Sequence, residues 1–175
     1  MASDMKQSLA RAVITLLFEK NQQKITVKDI VKECHITRQA FYYHFTDIPD
    51  LIQWIIKQGK KELYAKLEPI MSPEERIHQW FSFAVNAMPY IRKSMRSNYG
   101  KEIKEIIFEQ VFEIFLEITN EEEISKKMND FDRQMAIRYH CYAIDGILQN
   151  WTEEDTKNLD QIAHNVYVLI TGQSG

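Results

Sequence analysis

Arg38, Gln39, Tyr42 and Tyr43 fall within one six-residue stretch that contains no Asp or Glu. An arginine fork and a carboxamide can read the edges of base pairs, and tyrosine hydroxyls donate to phosphate oxygens. The cluster therefore has the chemistry of nucleic-acid recognition; the other reading of the tyrosines is that they cap a hydrophobic core. Competing chemistries lack their residues. The five glycines, at positions 59, 100, 146, 172 and 175, form neither a phosphate loop nor a dinucleotide fingerprint, and no G-x-S-x-G or H-E-x-x-H string occurs. His35, His44, His78, His140 and His164 show no metal-ligand spacing, and two cysteines, Cys34 and Cys141, are too few for a disulfide framework or a four-thiolate zinc site. No catalytic residue, metal or cofactor is expected, and the chain is read as a binding protein, not an enzyme.

The elements that must position this cluster read as helices throughout. Of 175 residues 45% are hydrophobic and 27% charged, with only five Gly and four Pro, which excludes disordered, collagen-like and turn-rich β architectures. Apolar positions recur at helical spacing, as in Leu9, Val13, Leu16 and Leu17, and then Val27, Ile30, Val31 and Cys34. Starts are marked by Ser3 or Asp4, Thr26 with Asp29, Thr37, Asp47 with Asp50, Ser72 with Glu75, and Thr152 with Asp155. An all-α fold of about nine helices follows: 4–20, 27–34, 38–45, 48–70, 73–87, 88–97, 101–119, 125–151 and 153–171. Pro89 and Gly100 are expected to interrupt the pattern, and Gly172 to close the last helix. Arg11 interrupts the apolar run from Leu9 to Phe18, which reads as a core helix rather than a secretory segment, and no run reaches membrane-spanning length. With its two thiols, the chain is expected in the cytoplasm.

Charge is uneven along the chain. Residues 1–61 carry ten Lys and Arg against six Asp and Glu, while residues 62–175 carry twelve against nineteen, so a net −3 hides a basic start on an acidic body. The helices expected at 27–34 and 38–45 are separated only by a short turn at Cys34 to Thr37, the spacing of a helix-turn-helix. In the second of them Phe41 and Phe45 lie four apart and face inward, with Ala40 small enough for close packing. Arg38, Gln39, Tyr42 and Tyr43 are left outward.

The strings Ile25 to Val31 and Ile36 to Phe45, followed by Asp50-Leu51, resemble the tetracycline-repressor (TetR/AcrR) family of bacterial transcription regulators over about residues 8–55. The run Tyr42-Tyr43-His44-Phe45 after a Thr-capped helix start is its most specific part. The resemblance implies a helix-turn-helix domain over residues 1–47 and a helical effector and dimerisation domain over 48–175, binding a palindromic double-stranded operator with helix 38–45. By the same resemblance Thr26, Lys28, Tyr42, Tyr43 and His44 touch phosphates, while Thr37, Arg38 and Gln39 approach bases; His44 is alternatively a core histidine. The family usually has glycine where His35 stands and a phosphate-contacting lysine where Ile48 stands. A left-handed backbone is therefore expected at His35. Position 48 is expected to point at a phosphate without supplying a charge.

The remainder is dense in aromatic residues between Trp80 and Phe115. The resemblance implies an apolar effector pocket among the middle helices, assigned to Trp80, Phe83, Tyr99, Phe108, Phe112 and Tyr139; the same side chains could equally fill a core. It also implies that the last two helices form a four-helix interface with a second copy, through Ile144, Leu148, Trp151, Leu159, Ile162 and Val166. The alternative is that these stripes bury only within one chain. Glu105, Glu109, Glu113 and Glu117 stand at four-residue spacing, a solvated face or a surface for a basic partner. Tyr142, Gly146, Ile147 and Trp151, with Phe41 to Phe45 and Asp47-Ile48, are similar to regulators associated with dihydroxyacetone kinase operons, some of which activate with a protein co-activator. Control by a small apolar ligand, a co-activator-dependent activator, and a helical interaction module without DNA binding are the functional expectations.

Overall fold

The computed structural model describes residues 2–65, 71–120 and 129–171. Within them lie nine α-helices and no strand: α1 (Ala2–Ile14), α2 (Val27–Glu33), α3 (Arg38–His44), α4 (Ile48–Tyr64), α5 (Pro73–Ser94), α6 (Gly100–Asn120), α7 (Asp130–Gln149), α8 (Glu153–Lys157) and α9 (Leu159–Thr171). A π-helical turn, Thr15–Glu19, continues α1. Most expected starts are built as read, though α1 begins at Ala2, ahead of Ser3 and Asp4. Thr26 and Asp29 form a reciprocal capping box on α2, as do Thr152 and Asp155 on α8, and the Thr37 hydroxyl accepts from the Ala40 N–H at 3.1 Å.

Several expected boundaries differ. Pro89 does not end a helix: α5 runs through it to Ser94. Proline removes one backbone donor, and its neighbours on both sides keep helical bonds, so the helix survives the loss. Gly100 begins α6 instead of opening a gap, and a Cβ there would stand 2.1 Å from the Met95 carbonyl oxygen, so only glycine permits this approach. The helix expected over 153–171 is two helices, because Asn158 turns its side chain back onto the Glu154 carbonyl at 2.9 Å and leaves helical geometry. α7 starts at Asp130 under an Asn129 cap, later than expected. α4 ends at Tyr64, with Ala65 already in a turn, short of the expected end at 70. Residues 66–70, 121–128 and Gly172 lie outside the described residues.

Packing sorts the chain into two units, Met1–Lys60 with Pro89–Ile107, and Lys61–Met88 with Phe108–Gly175. The first unit has a core of Leu9, Val13, Ile25, Ile30, Phe41, Phe45, Ile48 and Leu51, and Ile103 from α6 is buried in it at 3% exposure. The second buries Ile77, Trp80 and Phe81 of α5, Ile137, Cys141, Ile144 and Leu148 of α7, and Ala163, Val166 and Ile170 of α9. Two His–carboxylate contacts tie α5 to α9 there: His78 to Asp160 at 2.6 Å and His164 to Glu74 at 2.7 Å.

Candidate nucleic-acid interface

Position 35 decides how α2 delivers the chain to α3. His35 has φ 55°, its N–H bonds the Lys32 carbonyl at 3.3 Å, and the Ile36 N–H bonds the Val31 carbonyl at 3.0 Å. This is a Schellman closure with a histidine at the position glycine favours, at a cost of about 1–2 kcal/mol for the left-handed backbone. The expected strain is present, and it buys the sharp turn that aims α3.

On α3 the inner face is filled by Phe41, fully buried, with Phe45 just beyond at 3% exposure, their ring centroids 6.2 Å apart. The opposite face is left in solvent: Arg38 and Gln39 are exposed, Tyr42 is 57% exposed and Tyr43 83%. Large aromatic rings are rarely left this open without a partner. Tyr42 rests edge-on against Phe41, so one ring edge is supported while its hydroxyl end is free to reach outward. His44 is half-buried with its ring edge-on to Tyr43 at 5.0 Å, which orients Tyr43.

Thr26 and Lys28 are exposed at the start of α2. The Asp29 carboxylate accepts from the Thr26 N–H at 2.9 Å and from its hydroxyl at 2.6 Å. These bonds, the hydroxyl's first, hold the Asp29 carboxyl below its ordinary 3.8. Thr37 is exposed as the cap of α3. Thr26, Lys28, Thr37, Arg38, Gln39, Tyr42, Tyr43 and His44 therefore all belong to one unit, each with exposed or half-exposed surface.

Ile48 is the exception to the expected interface. It is 2% exposed and packs in the core with Phe45 and Leu51, so it faces the interior of the unit and not the surface. The isoleucine is explained by burial.

Two features of this unit were not read from the sequence. Asn98, in the turn between α5 and α6, accepts from the Ile25 N–H at 2.9 Å and donates to the Ile25 carbonyl at 3.2 Å, while its own N–H bonds the Gln23 carbonyl at 3.0 Å. This three-bond clip holds the α1–α2 loop one residue before Thr26. Tyr99 packs against the same core, where burial raises its hydroxyl pKa. With residues 89–107 included, the unit carries fourteen Lys and Arg against eight Asp and Glu, net +6, and the other unit eight against seventeen, net −9. Folding thus sharpens the asymmetry seen along the chain. A run of five basic residues between Arg92 and Lys104 was the available signal.

The residues assigned to an effector pocket are spread over both units. Trp80 is buried against Phe81, Phe83 and Tyr139 are exposed, Phe108 and Phe112 are half-buried, and Tyr99 belongs to the basic unit. Phe108 does lie 4.9 Å from Tyr142. Of the residues assigned to a dimer interface, Ile144, Leu148 and Val166 are buried by their own unit, and Trp151, Leu159 and Ile162 are half-buried, Trp151 lying 6.1 Å from Phe81. The exposed large apolar residues of α7 are Phe131, Met135, Tyr139, Tyr142 and, at 37%, Ile147, and Leu169 of α9 is 72% exposed. Among the described residues no three His, Cys, Asp or Glu side chains meet as a metal site, and no helix is long and apolar enough to cross a membrane.

Residues 10–53, which span the helix-turn-helix and the start of α4, match the bacterial regulatory proteins of the tetR family. No curated protein matches the chain by sequence. Among solved structures the dihydroxyacetone kinase operon activator DhaS is similar, with a TM-score of 0.62 over 97% of this chain and 95% of its own, at 19% identity, a likeness of fold. Residues 10–53 thus carry the amino-terminal region of the tetR family, and the acid-free outer face of α3 lies within it.

Proposed function

We propose that the protein acts as a homodimer that reads a palindromic operator with α3, one helix per half-site. The observation that carries this is the outer face of α3, where Arg38, Gln39, Tyr42 and Tyr43 are exposed together on a helix whose other face is locked by Phe41. Thr37, Arg38 and Gln39, at the amino-terminal end of the helix, approach base edges; Thr26, Lys28, Tyr42, Tyr43 and His44 flank them at phosphates. The second copy docks on α7 and α9. Phe131, Met135, Tyr139 and Tyr142 recur at spacings of four, four and three, which puts them on one side of α7, and they supply an apolar surface their own unit leaves uncovered. Selection of genomic fragments with the purified protein, followed by binding measured against salt, tests this. A shared inverted repeat bound with a steep salt dependence is expected. Binding without sequence preference, or none at all, would leave a helical interaction module as the better account.

The operator-bound protein is controlled by a small apolar ligand held among the aromatic side chains of the second unit, or by a protein partner. A co-activator-dependent activator is favoured by one observation, the likeness in fold to an activator of the dihydroxyacetone kinase operon. Transcription from the recovered operator, with and without the protein, separates activation from repression.

A further inference from the structure

Two departures from regular α-helix border the same cleft in the basic unit. Leu17, in the π-helical turn after α1, and Pro89, inside α5, both line it, and π-turns in α-helices are often kept where a ligand binds. The cleft has a volume of about 430 Å³, within the range of small-molecule sites. Its remaining wall is polar and carries no carboxylate: the α1–α2 loop from Asn21 to Gln23 on one side, and Arg92, Lys93 and Arg96 on the other. Asn21 turns the loop at φ 52°, and the Gln22 carboxamide braces it by donating to the Lys24 carbonyl at 2.8 Å. Among the described residues the Lys93 ammonium meets the Phe18 carbonyl at 2.9 Å and the Phe18 ring at 5.8 Å, two uncharged groups that orient its charge. Arg96 is exposed at the rim.

We propose that this cleft is a binding site for a small phosphate monoester. The Arg96 fork and the Lys93 ammonium suit a compact dianion, and the carboxamides of Asn21 and Gln23 add donors for the remaining oxygens. The volume exceeds what a phosphate group fills, and Pro89 offers an apolar contact for the body of the ester. The occupant would bridge the end of α5 to the loop that leads into Thr26, so its binding and operator binding are linked.

Calorimetric titration of the whole protein, without DNA and at fixed ionic strength in chloride, tests the site with phenyl phosphate and inorganic phosphate as probes. One saturable site per chain is expected, tighter for phenyl phosphate, and Arg96→Gln should weaken it by about tenfold, the loss of one charge-assisted contact. Gln23→Leu, on the opposite wall, should weaken it as well. Lys104→Gln, which removes an exposed charge elsewhere in the unit, should leave it unchanged. Absence of saturable binding, or an equal loss in Lys104→Gln, overturns the proposal. So does a flatter salt dependence of DNA binding in Arg96→Gln when neither probe binds, since the cleft then serves the DNA backbone. Because the titration contains no DNA, its failure leaves the reading of α3 untouched.

Discussion

Replacing Ile48 with lysine separates two geometries for the start of α4. The side chain is 2% exposed among Phe45, Leu51 and the rest of the first unit's core, so removing it from that core forfeits about 1.5–3 kcal/mol of apolar burial. The ammonium must then be desolvated or forced out between neighbours, and a cation in the first turn also opposes the helix dipole by a few tenths of a kcal/mol. A total of about 3–5 kcal/mol is expected, a large part of the stability of a domain this size. Trp54 lies in the same cluster with its ring 6.1 Å from Phe45, so in a background with Trp80 and Trp151 replaced by phenylalanine its fluorescence in urea reports this unit. Ile48→Val, as a control, should cost about 0.5–1.5 kcal/mol. If Ile48→Lys is as stable as the parent to within about 0.5 kcal/mol, and its DNA binding steepens with salt by about 0.9 per subunit, the side chain faces the phosphates and the burial described above is wrong.

Other substitutions probe single links. His35→Gly relieves the left-handed strain at an exposed position and should stabilise the protein by about 0.5–1 kcal/mol in the same denaturation assay; destabilisation would show that the imidazole is doing something the turn geometry does not require. Arg38→Ala should cost about 1–3 kcal/mol of operator binding and relax preference at one position per half-site, whereas a loss equal on all sequences would assign Arg38 to a phosphate. Tyr142→Glu, on the exposed side of α7, should give a folded monomer by sedimentation; a folded dimer would place the interface elsewhere. Thr26→Val removes the largest cause of the lowered Asp29 pKa, so nuclear magnetic resonance titration should find that carboxyl closer to 3.8. Since the folded pKa lies below the ordinary one, the stabilisation from this pair is present above pH 3.8 and fades as the pH falls through the folded value.

Much of the candidate site's local geometry was legible because it depends on residues close in sequence. Capping by Thr26 and Thr37 needs partners three residues on, and the inward pair Phe41 and Phe45 is set by helical period alone. The left-handed residue was visible as a departure at His35 for the same reason. Ile48 was not legible: a phosphate-facing and a core-facing first residue of α4 have the same local pattern, and its burial depends on what packs over it. Pro89 and Gly100 misled because both were weighed by local preference, while tertiary context keeps α5 intact past one missing donor and brings the Met95 carbonyl onto Gly100.

The division of apolar stripes on α7 also needed the third dimension. Ile137, Cys141, Ile144 and Leu148 keep the helical period of a core face, and so do Phe131, Met135, Tyr139 and Tyr142. Sequence period cannot say which of two stripes a helix spends on its own unit. Burial decides it: the first is within 8% exposure throughout, and the second begins at 47%. The covered stripe is the more aliphatic, and the uncovered one contains two tyrosines, whose hydroxyls tolerate water when the surface stands alone and whose rings still bury well against a partner. A surface with both properties suits a protein that folds first as a single chain and then pairs. In the proposed dimer the face of α7 that folds its own unit and the face that meets the partner are different, which is why a charge on Tyr142 should separate pairing from folding while a charge on Ile144 should not.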